Sequence, residues 1–158
     1  MTLFKFAPVA LCLAASSLLF AGATQAQTAA PKAAASAASA QDLAKQAEGQ
    51  LAAAGWLSML DQRNWGGAYE ASSQTFRNMV QIGQWMDSIP GVRAPFGAFE
   101  SRNASTVVYK TTLPGRADGE YVTAIFETDF ANKKSVEEVV TTVREADGKW
   151  RVIGYSPR

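Results

Sequence analysis

No histidine occurs anywhere in this chain, and its single cysteine, Cys12, lies close to the N-terminus. Without imidazole the commonest general base is missing, and with thiols nearly absent so are the usual ligands of zinc, copper and haem. Ser-His-Asp and Cys-His arrangements are excluded with them. No Ser-x-x-Lys spacing, no GxxxxGK[ST] phosphate loop and no Asp-rich twelve-residue calcium loop takes their place. Fifteen Lys and Arg stand against fourteen Asp and Glu, with no basic block. That balance lacks the footprint of a nucleic-acid binder. The chain is therefore expected to use no cofactor or metal and to bind no nucleic acid. Long hydrophobic runs are lacking too: residues 6–20 make an apolar stretch of about fifteen, short of the roughly 20 that cross a bilayer.

What that stretch does resemble is an export signal. Lys5 gives a basic start, the apolar run follows, and Ala21, Ala23 and Ala26 supply small residues for cleavage after Ala23 or Ala26. Residues 1–26 are read as a signal peptide and the protein as periplasmic or secreted, without a membrane anchor after cleavage. Leu11 precedes Cys12 and the apolar run continues past it, so Cys12 belongs to the hydrophobic core of the signal rather than to a lipid attachment site. Lys5 is the one charged residue of the segment, and its loss equalises basic and acidic residues. The exported part then has no thiol for a disulfide, so stability must come from apolar burial. Residues 27–41 are an Ala/Ser-rich stretch interrupted by Pro31, expected to act as a flexible linker.

Residues 42–158 read as a single α+β domain. Leu43, Ala47, Leu51, Ala54 and Leu57 recur at spacings of three and four, which predicts a helix over 42–60 buried along that stripe. A short helix is expected over 65–71, with Trp65 and Tyr69 on one side. A third is expected over 73–88, with Phe76, Met79, Val80, Gly83 and Met86 as its stripe and Trp85 at the stripe's edge. Ile89, Pro90 and Gly91 are expected to stop it. Beyond them the period shortens. Residues 106–113, 121–130, 136–145 and 149–156 are rich in Val, Thr, Ile and aromatics and are separated by turn residues, of which Asp147-Gly148 is a strong hairpin signal. The pattern predicts N-terminal helices packed on one face of a four-stranded antiparallel meander.

An ordered set of short motifs accompanies this pattern: Trp56-Leu57, Asp61, Tyr69, Phe76-Arg77, Trp85, 93-RAPFG-97, Ser101-Arg102, 113-LPG-115, 118-DGEYV-122, 127-ETDFANK-133 and 148-GKWRVIGY-155. Over about residues 50–156 the chain resembles the DUF4019 family of bacterial exported proteins. The resemblance implies a small NTF2-like or cystatin-like α+β domain and carries no known activity. The departure is at Gly67-Ala68, a loose start for the helix holding Tyr69.

Four residues stand out as a candidate ligand or interaction surface: Trp65, Tyr69, Arg93 and Tyr109. Trp65 and Tyr69 follow a Gly-rich approach that leaves room for a cavity. Arg93 lies in a non-periodic joint between helices and sheet, where a guanidinium either binds an anion or locks the joint by pairing with Glu100 or capping helix carbonyls. No residue is assigned as catalytic. Glu127 and Asp129 share one face of a strand, but Val122, Ala124, Phe126, Thr128 and Phe130 form the more apolar face, so the carboxylates are expected to point outward. Asp61 is expected to organise the 61-DQRN-64 turn by accepting backbone N–H bonds. Trp56, Trp85 and Trp150 are expected to pack in the core or at its open end.

The leading expectation is a non-enzymatic module that binds a small apolar or amphipathic ligand, or a protein partner, at the open end between helices and sheet. The alternatives are a cofactor-free enzyme of isomerase or dehydratase type using a buried carboxylate and Tyr, and a homodimer formed through the exposed sheet face, which Tyr121 and Ile125 favour.

Overall fold

A computed structural model of the chain describes residues 30–158, with side chains from Ser39 onward. The expected signal peptide lies outside the described residues. Four α-helices come first: α1 (Ala30–Asp61), α2 (Trp65–Glu70), α3 (Gln74–Met79) and α4 (Ile82–Arg93), followed by a 3-10 turn, Ala94–Phe96. Four strands follow: β1 (Phe99–Lys110), β2 (Tyr121–Phe130), β3 (Val136–Arg144) and β4 (Trp150–Pro157). They pair antiparallel in sequence order. The fold is α+β, with N-terminal helices on one face of an open four-stranded sheet.

Helix α1 lies closest to the sheet. Toward its end the expected surface is buried, with Leu57 in the core and Ala54 packed against it, but the N-terminal part of the expected stripe, Leu43, Ala47 and Leu51, faces solvent. Leu43 is 63% exposed and Leu51 75%, whereas Gly49, Ala53, Trp56, Leu57 and Leu60 are buried. The reason is proximity. A Cβ on Gly49 would stand 2.5 Å from Val122 Cβ and 2.9 Å from Thr142 Oγ1. Small residues at 49 and 53 let the backbone descend onto β2 and β3, and the large residues one turn further on fill the widening gap. Upstream, α1 is helical from Ala30, so residues 30–41, expected as a linker, continue the helix; the high helix propensity of their alanines suits this.

The expected third helix is two helices. Val80 is extended at φ −119°, ψ 113°, ending α3, and α4 restarts at Ile82. Its buried positions are Trp85, Ile89 and Arg93, each four residues on from the last, while Met79 and Met86 are exposed. Pro90 sits inside α4 rather than stopping it. Trp85 is core: it packs against Phe76 (5.5 Å between ring centroids) and Trp56 (5.9 Å), and Trp56 meets Tyr155 at 5.3 Å. The Trp56 indole donates to the Ala68 carbonyl at 2.7 Å and to Ser72 Oγ at 3.0 Å, tying α1 to α2.

The expected loose start at Gly67 is a tight cap. Asn64 Oδ1 accepts from the Gly67 N–H at 3.0 Å, and a Cβ at 67 would strike the Asn64 side chain at 2.5 Å. The first strand begins at Phe99, earlier than its Val/Thr run suggests, because Ser101–Arg102 already pair with β2. On β2, Val122, Ala124, Phe126, Thr128 and Phe130 are buried and Glu127 is exposed, as the alternation predicts. Tyr121, expected on the outer face with Ile125, is instead buried, its hydroxyl donating to the Ala117 carbonyl at 2.7 Å.

Candidate functional site

The C-terminal ends of α1 and α4 converge over the inner face of the sheet, and each ends in a charge. Asp61 closes α1, where a carboxylate faces the negative end of the helix dipole and needs a cation. Arg93 closes α4, where a guanidinium is favoured. Arg102 projects from β1 beside Thr128 of β2, its partner in the ladder. Glu138 stands on the inner face of β3 between Val136 and Val140 and is fully buried.

These four side chains close a ring. Arg93 bridges the carboxylates, Nη2 to Asp61 Oδ1 and Nη1 to Glu138 Oε1. Arg102 does the same from the other side: Nη1 donates to Asp61 Oδ2 at 2.7 Å and Nη2 to Glu138 Oε2 at 2.7 Å. Thr128 Oγ1 donates to Glu138 Oε2 at 2.7 Å, and the Tyr155 hydroxyl donates to Glu138 Oε1 at 2.7 Å while accepting from Arg93 Nη1 at 2.8 Å. Both guanidiniums also lie over rings, Arg93 over Phe130 (4.9 Å) and Arg102 over Phe99 (4.7 Å). Among the described residues no buried side-chain nitrogen or oxygen lacks a partner.

The electrostatics follow from this closure. Burial pushes the Glu138 carboxyl up, but the Arg102 and Arg93 charges and the Thr128 and Tyr155 donors outweigh it and hold the group below its ordinary value. Burial and the neighbouring Glu138 charge push the Tyr155 phenol up. Both guanidiniums are raised: desolvation opposes this, and Tyr155 with Glu138 around Arg93, and Asp61 with Glu138 around Arg102, overcome it. At neutral pH, then, Glu138 is ionised and Tyr155 is protonated. Two cations and two anions cancel, and burying them costs several kcal/mol per ion unless geometry of this quality offsets it.

One edge of the ring faces solvent through a cavity of about 290 Å³, lined by Leu60, Asp61, Arg63, Trp65, Pro90, Arg93, Ala94, Gly97 and Phe99. A shallower depression continues from it over Ser58, Gln62 and Ala98. The cavity is where helices, 3-10 turn and β1 leave the sheet end open. Among the described residues no group of three or more His, Cys, Asp or Glu side chains could hold a metal ion, and no helix is long and apolar enough to cross a membrane.

Of the four candidate residues, the structure brings two together here. Trp65 and Arg93 line the cavity. Tyr69 is buried among Phe76 and its neighbours, with its hydroxyl donating to the Val80 carbonyl at 2.9 Å. Tyr109 lies at the far end of the sheet, where it accepts from Lys45 Nζ at 3.1 Å and donates to Glu120 Oε1 at 3.0 Å. Lys45 is sixteen residues before Asp61 on α1, about 24 Å along the helix. That second cluster, completed by an Arg144–Glu120 pair at 3.1 Å, holds the Glu120 carboxyl down at about 2, chiefly through the Lys45 hydrogen bond.

Several expected partners differ. Arg93 does lock the joint, but through Asp61 and Glu138; Glu100 pairs with Lys134 instead. Asp61 binds two guanidiniums rather than organising its turn. Trp150 donates to Glu48 Oε2 at 2.9 Å, outside the core. Glu138 and the role of Arg102 escaped the reading of the sequence. The signal for Glu138 was present: alternation puts it in phase with Val136, Val140 and Thr142, and an acid on the core face of a strand needs a buried partner.

A family model described as a protein of unknown function, DUF4019, matches residues 52–155. The chain belongs to this family. No curated protein and no solved structure matches it. The matched span of the DUF4019 domain begins within α1 and contains all four members of the ring and every cavity residue.

Proposed function

We propose that this DUF4019 protein is an exported, periplasmic small-ligand-binding module of NTF2-like or cystatin-like type, whose ligand occupies the cavity beside the charge ring. The observation that carries this reading is a preformed concave space whose lining combines apolar and polar surface, beside a charged wall that is already self-satisfied. Such a wall keeps its shape with no ligand present, and concave apolar sites with few fixed polar groups are where small molecules bind. A carboxylate/Tyr enzyme draws less support, because Glu138 holds its charge and Tyr155 its proton at neutral pH, with both already engaged by hydrogen bonds.

Ligand-induced stabilisation tests the reading. Small amphipathic compounds screened against the purified protein should include some that raise its thermal midpoint in proportion to log concentration. Ala94→Trp, at an exposed position on the cavity wall, should leave the unliganded midpoint in place and abolish the rise. No stabilising compound, or an equal rise in Ala94→Trp, would contradict it.

A further inference from the structure

Resting on that reading, we infer that the cavity selects an apolar-bodied monoanion and that Arg63 is the residue that meets its acidic group. The inner ring cannot do this. Asp61 takes donors from Arg93 on one oxygen and from Arg102 on both, and Glu138 takes donors from four side chains, so the four charges cancel among themselves. Arg63 is a third guanidinium on the same cavity wall. It is exposed, and its side chain has no partner among the described residues. The wall therefore carries one uncompensated positive charge.

The backbone at Arg63 strengthens the case. Helix α1 ends in a Schellman turn, with the Asn64 N–H on the Met59 carbonyl at 2.8 Å and the Arg63 N–H on the Leu60 carbonyl at 3.0 Å. Arg63 occupies the left-handed position of that turn, at φ 58°, which Gly or Asn fills at lower cost. The left-handed backbone disfavours a branched or long side chain there while the helix dipole favours a cation, and the guanidinium-bearing side chain lines the cavity. Trp65 adds a second free donor, since its indole N–H also has no partner among the described residues. Against these two donors the wall offers no free side-chain acceptor, because the Asp61 oxygens are engaged. Pro90, Ala94 and Phe99 supply the apolar part of the lining. Unused donors, one surplus charge and this apolar part of the wall together describe a site for a carboxylate or sulfonate on a hydrophobic body.

A matched pair of probes separates charge from shape: anionic 1-anilinonaphthalene-8-sulfonate and uncharged N-phenyl-1-naphthylamine, titrated by fluorescence into wild type, Arg63→Gln, Arg63→Lys and Ala94→Trp. Wild type should bind the anion at least about tenfold more tightly than the neutral probe, as one charge-assisted contact provides. Arg63→Gln should remove that preference with neutral binding within about twofold, Arg63→Lys should keep most of it, and Ala94→Trp should lose both probes. Displacement of the bound anion by octanoate marks a chain-bearing acid as the ligand, and by 2-naphthoate a ring-bearing one; either supports the inference. Equal affinities in wild type, or an anion preference that survives Arg63→Gln, would overturn it while the cavity reading stands. Loss of neither probe in Ala94→Trp, or no binding at all, would overturn the cavity reading itself.

Discussion

Glu138 is the residue on which the site turns. An acid at a fully buried strand position survives only because two guanidiniums, a threonine and a tyrosine reach it from four different elements. Removing its charge leaves Arg93 and Arg102 sharing one carboxylate, so Glu138→Gln should cost about 3–5 kcal/mol in urea unfolding, the range for breaking a buried pair. Glu127, on the outer face of the neighbouring strand, is the control. Glu127→Gln should stay within about 0.5 kcal/mol, as exposed charges contribute little. Similar values for the two variants would mean that the ring does not hold the fold. At this scale the sequence was only partly legible. Arg93 stood out because it occupies a non-periodic joint, but its partners are 32 and 45 residues away along the chain. Glu100, close in sequence, is the partner that local spacing favours, and it is bound to Lys134 instead.

Among the elements, α1 shows best why a hydrophobic stripe can mislead. Its leucines at 43 and 51 outweigh Gly49 and Ala53 on any hydropathy scale, yet the small residues face the sheet, because distance of approach rather than side-chain size decides contact there. Two glycines of the same helix make this measurable. Gly49→Ala places a methyl within 2.5 Å of Val122 Cβ and should destabilise by about 1–3 kcal/mol. Gly55→Ala meets nothing within 4 Å and should stabilise by about 0.5–1 kcal/mol through helix propensity. A stabilising Gly49→Ala in thermal or urea unfolding would put the packing face elsewhere. The break at Val80 was invisible for a related reason: nothing local separates residues 73–88, and α3 and α4 are held apart by tertiary contacts, among them the Tyr69 hydroxyl on the Val80 carbonyl. The strands were easier to read, because alternation on β2 and turn chemistry at Asp147-Gly148 are local signals.

For the whole molecule, the charge ring joins three parts that otherwise meet at an open end: α1, the α4 joint and the inner sheet. It can do so without chemistry only if its protons are fixed. The Glu138 carboxyl is held below its unfolded value, so it adds stability that is fully present above about pH 4.3, the ordinary glutamate value, and is lost as pH falls through the lower folded-state value. The most direct test is a carbon-detected NMR titration of the Glu138 side-chain carboxyl on the folded protein, from pH 7 downward. A chemical shift that stays flat past pH 4.3 and moves only below it is the predicted result. A midpoint well above that value, toward neutrality, would contradict the account: burial would then outweigh the guanidiniums, and Glu138 would be a proton-exchanging group beside a cavity.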